Sequence, residues 1–127
     1  MATQTQYAFS VSVQTAYLPD QSNAEQNKFA FAYTVTITNI GNIAAQLISR
    51  HWVITDSHHH VQEVKGLGVV GAQPLLGPSQ QFEYTSGTIL VTQEGEMRGS
   101  YFMVAVDGTP FEAVIEPFVL AQPRVLH

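Results

Sequence analysis

From Phe29 to Thr38 the chain alternates bulky and small residues without a break. Phe29, Phe31, Tyr33, Val35 and Ile37 stand against Ala30, Ala32, Thr34, Thr36 and Thr38. Side chains on an extended chain point alternately to opposite faces, so the pattern collects all the bulk on one side of a strand. The same rhythm sets Tyr7, Phe9, Val11 and Val13 against Ala8, Ser10, Ser12 and Gln14. Between them, Pro19, Asp20, Ser22 and Asn23 mark a loop within Leu18 to Asn27.

The rhythm recurs along the chain. A turn at Asn39 to Asn42 contains Gly41. It leads to a third strand, Ala45 to Thr55, in which Gln46, Ile48, Arg50, Trp52 and Ile54 oppose Leu47, Ser49, His51 and Val53. A turn at Asp56 to His60 and a short strand at Val61 to Lys65 follow, then a Gly- and Pro-rich loop to Ser79. Further strands are expected at Gln81 to Thr85, Ile89 to Val91, Tyr101 to Val106 and Phe111 to Phe118, with a turn at Gly95. Asp107-Gly108 is a favoured hairpin pair because Gly accepts positive φ, and Pro117 limits ladder bonding near the end of the last strand. No segment carries an amphipathic helical period. The expected fold is all-β: a fibronectin-type-III or immunoglobulin-like antiparallel β-sandwich of seven to eight strands, one domain over residues 1–127, with Trp52 in the core. A closed barrel is the alternative. Without a Cys pair, the fibronectin-type-III-like variant fits better than a true immunoglobulin domain.

Composition narrows the function. A chain of 127 residues buries roughly two-thirds of its unfolded surface, enough for a core without staples. Charged residues make up 12%, against about 25% in a typical domain. The five cations Lys28, Arg50, Lys65, Arg98 and Arg124 are scattered through a chain of net charge −5. No basic stripe exists for a phosphate backbone, so no nucleic-acid partner is expected. The absence of Cys removes disulfides, thiolate nucleophiles and thiolate metal sites. Met1 to Gln6 lacks a signal-peptide pattern, and no apolar run approaches the ~20 residues of a membrane helix; the expected location is cytoplasmic, with no membrane insertion.

Four segments bear on chemistry. Gly66-Leu67-Gly68-Val69-Val70-Gly71 spells GxGxxG, which in a dinucleotide-binding fold opens a helix. Pro74 and Pro78 follow too closely for a helix here. A backbone nest at Gly66, Gly68 and Gly71 beside Lys65 could still hold an anion, and the plain alternative is a tightly turning loop. His58, His59 and His60 lie in a turn beside Asp56. Imidazoles bind Co, Ni, Cu and Zn, so this turn is a candidate for weak divalent-metal binding, against a solvated His-rich turn. No catalytic residues are expected, because there is no GxSxG elbow and no evident nucleophile with its partners; no cofactor is implied. Leu75 and Leu76, flanked by Pro74 and Pro78, either form a partner surface or plug one end of the core. Open sheet edges offer a further route, to a partner strand or a second copy in a homodimer.

Read in order, these segments resemble the bacterial ApaG family. The resemblance runs from Arg50-His51-Trp52-Val53-Ile54-Thr55-Asp56 through Val61-Gln62-Glu63-Val64, the glycine stretch and Gln73-Pro74. It continues through Phe82-Glu83-Tyr84-Thr85-Ser86-Gly87 and Gly95-Glu96-Met97-Arg98-Gly99-Ser100-Tyr101 to Ile115-Glu116-Pro117-Phe118. It implies a fibronectin-type-III-like sandwich and a non-enzymatic interaction or accessory module. It further implies a link to cobalt tolerance and magnesium efflux, acting through a protein partner. The family's glycine motif implies pyrophosphate or nucleotide binding as the alternative.

Overall fold

The computed structural model describes residues 6–122. The first five residues of the polar N-terminal stretch, and residues 123–127 with Arg124, lie outside the described residues. Eight strands follow one another: β1 (Phe9–Tyr17), β2 (Phe29–Asn39), β3 (Ala45–Asp56), β4 (Val61–Leu67), β5 (Leu75–Leu76), β6 (Gln81–Leu90), β7 (Glu94–Ala105) and β8 (Pro110–Ala121). The expected loop after β1 holds two short 3-10 turns, Pro19–Gln21 and Ala24–Gln26. No helix among the described residues is long and apolar enough to cross a membrane.

The strands form two antiparallel sheets. The smaller has the order β1-β2-β6; the larger runs β4-β3-β7-β8, with β5 also paired to β3. The alternation on β2 holds as read: Phe31, Val35 and Ile37 are fully buried, whereas Thr34 and Thr36 face outward to bond Thr85 and Glu83 on β6. Between the sheets, the Trp52 ring on β3 meets Tyr33 at 5.3 Å, Phe118 at 5.9 Å and Tyr101 at 6.3 Å, in edge-to-face or tilted contacts. Each buried large side chain contributes about 1.5–3 kcal/mol by leaving water.

The structure corrects the expected face of β3. Its pairing with β7 shifts between Leu47 and Ser49, so Ile48 is an extra residue in a bulge. The bulge reverses the parity of the strand. Ala45 and Leu47 point inward before it, Trp52 and Ile54 after it. Ile48 therefore does not share a simple alternation with Trp52. A second irregularity on β8 between Ile115 and Phe118 places Pro117 at a break in the ladder, where a missing N–H does least harm. Other bounds move as well. The pieces expected at Gln81 to Thr85 and Ile89 to Val91 are one strand, β6. Gly95 lies inside β7 rather than in a turn, and β4 extends two residues beyond Lys65 into the expected loop.

Asn39 closes β2 rather than opening the expected turn. It is fully buried at the end of β2, and its side chain is completely used. Nδ2 donates to the carbonyls of Ile43 (2.9 Å) and Leu76 (3.0 Å), while Oδ1 accepts from the Gly41 amide at 2.9 Å. It thus joins β2, the following turn and β5. Asn39→Leu should lower the unfolding free energy by about 3 kcal/mol in urea titrations, because buried carbonyls and an amide lose their partners. Ser10→Ala, on the exposed face, should change it by less than about 0.5 kcal/mol.

Candidate functional site

The glycine stretch is built around Arg50. Across the ladders Arg50 opposes Gly66 on β4 and the buried Tyr101 on β7, so its side chain runs along the inner face at the open margin of the sandwich. Nη1 donates to the carbonyls of Leu67 and Gly68, both at 3.0 Å. A Cβ at position 66 would lie 2.7–2.8 Å from the guanidinium, so a side chain there would push the arginine head from this place. Beyond Leu67 the Gly68 amide donates to Ile48 O at 2.8 Å, and Val69 and Ala72 exchange both backbone bonds, at 2.8 and 2.9 Å. Val70 (φ 43°) and Gly71 (φ 80°) form the tip of that two-residue turn. The chain then passes to β5, with no helix. Of the four candidate anion ligands, Gly66 lies on β4, Gly68 opens the turn and Gly71 sits at its tip. Lys65 pairs with His51 on the opposite face of β4. The stretch directs carbonyls at a cation, and its amides at Gly68, Val69 and Ala72 are used within the chain.

The His turn is organised by the Asp56 carboxylate, whose Oδ1 accepts from the amides of His58 (2.8 Å) and His60 (3.0 Å). Burial works to raise the Asp56 pKa, but the two amides and the neighbouring imidazoles outweigh it and hold the carboxyl below its ordinary value. His60 Nδ1 stands 3.5 Å from Asp56 Oδ2. His59 adopts φ 65° at the tip of the turn. The His58 and His60 rings meet edge to face at 6.3 Å. His58 borders a hollow with Phe29 and Val91, whereas His59 borders another with Glu96 and Arg98. Among the described residues, no three His, Asp or Glu side chains stand close enough together to hold a metal ion.

The outer face of the larger sheet carries a largely apolar hollow. Ladder partners share a face, which puts Leu67, Ser49, Phe102 and Glu112 in one transverse row, and Lys65, His51, Ser100 and Val114 in the next. Ser49 and Ser100 leave a shallow depression of about 410 Å³, walled by Leu67 and Phe102 and rimmed by Lys65, His51 and Glu112. Leu67 is 75% exposed and Phe102 40%. His51 Nε2 lies 2.8 Å from Glu63 Oε2, and this hydrogen bond holds the Glu63 carboxyl below its usual pKa. Leu75 is exposed on this outer face, while Leu76 is buried in the core. Phe102 and Val114 escaped the sequence reading. Tyr101, Phe102 and Met103 are all bulky, so their order alone does not say which one faces out.

The ApaG domain family matches residues 19–105. The chain is 61% identical to Protein ApaG of Methylobacillus flagellatus and 60% identical to that of Thiobacillus denitrificans, over the full length of each. The chain belongs to the ApaG family. A solved structure of an ApaA protein from Bordetella pertussis, 54% identical, superposes with a TM-score of 0.93 over 97% of this chain and 100% of that one. The sandwich is therefore shared with that solved relative. The family match spans β2 to β7 and so includes Arg50, the glycine turn, the His turn and both walls of the outer hollow.

Val70 is a β-branched residue in left-handed backbone, which costs about 1–2 kcal/mol. Val70→Asn should raise the unfolding free energy by about 1 kcal/mol in chemical denaturation, since Asn tolerates this region. Near Arg50, the hydroxyls of Tyr84 and Tyr101 hydrogen-bond to each other inside the sandwich. Burial pushes Tyr84 up to about 12 and Tyr101 higher still. Both folded pKa values lie above the unfolded value of about 10. Stability should therefore be unaffected by these groups below about pH 10, and fall between there and about pH 12 as the unfolded chain releases protons that the folded one retains. Ultraviolet phenolate titration should show Tyr84 and Tyr101 ionising only with unfolding, and Tyr84→Phe should flatten the alkaline loss.

Proposed function

We propose that this ApaG-family chain is a non-enzymatic interaction module whose protein partner docks on the outer face of the larger sheet, and that through this partner it serves cobalt and magnesium homeostasis. One observation carries the docking face: Leu67 and Phe102 stand exposed on either side of the 410 Å³ hollow. Contiguous exposed apolar groups within a polar rim suit a partner's apolar side chain, with an aromatic residue as anchor. Lys65 at one margin and Glu112 at the other suit a partner segment carrying both charge signs. The cation role rests on the family resemblance. Pyrophosphate binding at Gly66 to Gly71 draws less support, because the amides of Gly68, Val69 and Ala72 donate within the chain.

The test combines cross-linking with a cellular readout. A photo-crosslinker at Ser100 should capture one discrete protein in growing cells, and one at Thr36 on the other sheet should not. Leu67→Asp with Phe102→Asp, checked for native circular dichroism, should abolish that adduct and the cobalt tolerance restored by the wild-type gene. A folded double variant that keeps the adduct excludes this face. One that loses the adduct yet keeps cobalt tolerance separates the partner from cation homeostasis.

A further inference from the structure

Apart from the two-residue β5, four strands run along sheet margins: β1 and β6 in the smaller sheet, β4 and β8 in the larger. Three carry features that discourage pairing with another chain. β4 is short and holds Glu63, Lys65 and Gly66; β6 holds Glu83 and Gly87; β8 holds Glu112, Glu116, two prolines and an irregular register. β1 has none of these. Phe9–Tyr17 contains no charged residue, no proline and no glycine, and it pairs with β2 over nine residues without a register shift.

The hydrogen-bond phase shows which groups β1 presents. Antiparallel ladders alternate between pairs that exchange backbone bonds and pairs that do not. Leu18 N donates to Ala30 O beyond one end of β1, and Ile40 N donates to Ala8 O beyond the other. Both anchors make the even-numbered residues the ones bonded to β2. Phe9, Val11, Val13, Thr15 and Tyr17 therefore aim their amides and carbonyls away from β2; β8 runs close beside β1, with the Phe111 ring against Tyr7 and Phe9, but no strand among the described residues is hydrogen-bonded to that edge. Their side chains lean on the core but stay only half covered at Phe9, Val11, Val13 and Tyr17, unlike the fully buried bulk of β2.

The geometry points to β1 as the pairing edge for a second copy of this chain, joined antiparallel about a two-fold axis at Val13 to make one continuous six-stranded sheet. The occupant follows from charge and symmetry. Copies that each carry a net charge of −5 meet with least repulsion along an uncharged edge, and β1 is that edge. A two-fold interface must be self-complementary. Centred on Val13, the register sets Val11 opposite Thr15 and Phe9 opposite Tyr17, all residues with free backbone groups, so each pair exchanges both bonds. It also covers the half-exposed apolar row with its own copy. On the outer face Ser12 comes opposite Gln14 in a close, non-bonded pair, where side chains interact most strongly. This arrangement leaves the hollow at Leu67 and Phe102 open, on the other sheet.

Sedimentation of the full chain from low micromolar to millimolar concentration should show the mass doubling. Ser12→Lys with Gln14→Lys places like charges opposite each other at both outer pairs and should hold the chain at monomer mass throughout. Ser12→Lys with Gln14→Glu places opposite charges there and should restore the dimer. All four side chains are on the exposed face, and circular dichroism checks the fold. In hydrogen exchange, the amides of Val11, Val13 and Thr15 should gain protection as concentration rises. Monomer mass at every wild-type concentration overturns the proposal. So does an undisturbed dimer in the double-lysine variant. Failure of the lysine–glutamate variant to pair overturns the register.

Discussion

The contact on which this structure depends is the Trp52 indole wedged between the two sheets. It is supplied by β3 and touches rings from β2, β7 and β8, so one side chain couples both layers. Edge-to-face rings interact with directional preference in addition to the area they bury. Both irregularities in the larger sheet serve this contact. The bulge at Ile48 turns Trp52 inward, and the break before Phe118 brings that ring to meet it. Without those parity changes, the strands would present the wrong alternate residues to the core.

The same reversal explains the margin where Arg50 lies. Once Trp52 faces inward, Arg50, two residues earlier, must do so too. A cation facing the interior needs acceptors, and it finds the carbonyls of Leu67 and Gly68. Glycine at 66 leaves free the space that the guanidinium occupies. The GxGxxG spelling thus has a structural cause in this chain: strand pairing against an arginine, then a tight turn. The neighbouring faces are freed for other uses. Residues alternating with Arg50 and Gly66, namely Ser49, His51, Lys65 and Leu67, form the outer hollow.

Legibility followed the contrast between neighbouring residues. β2 was readable because bulk and small size alternate strictly, and the Asp107-Gly108 hairpin because its turn chemistry is local; Gly108 adopts φ 90°. The face of β3 was not readable. Ile48 is apolar and fits either side, so nothing nearby announces an extra residue. Phe102 and Leu67 were missed for a related reason: bulky residues stand on both sides of the first, and glycines flank the second. Asn39 resembles any turn asparagine until Leu76, far along the chain, supplies the carbonyl that makes it a buried clasp.

By itself, the sequence determined the all-β class and the presence of most strands, β2 most sharply. These depend on the period-two geometry of an extended chain and on turn residues whose preferences act over a few positions. Its motifs also pointed to the ApaG family, to which the chain belongs. Tertiary structure alone decided which face each residue of β3 and β8 presents, where Arg50 finds its acceptors, and which margin of the sandwich stays open. Those outcomes depend on pairing between segments distant in sequence, and a single extra residue in a ladder reverses every face beyond it.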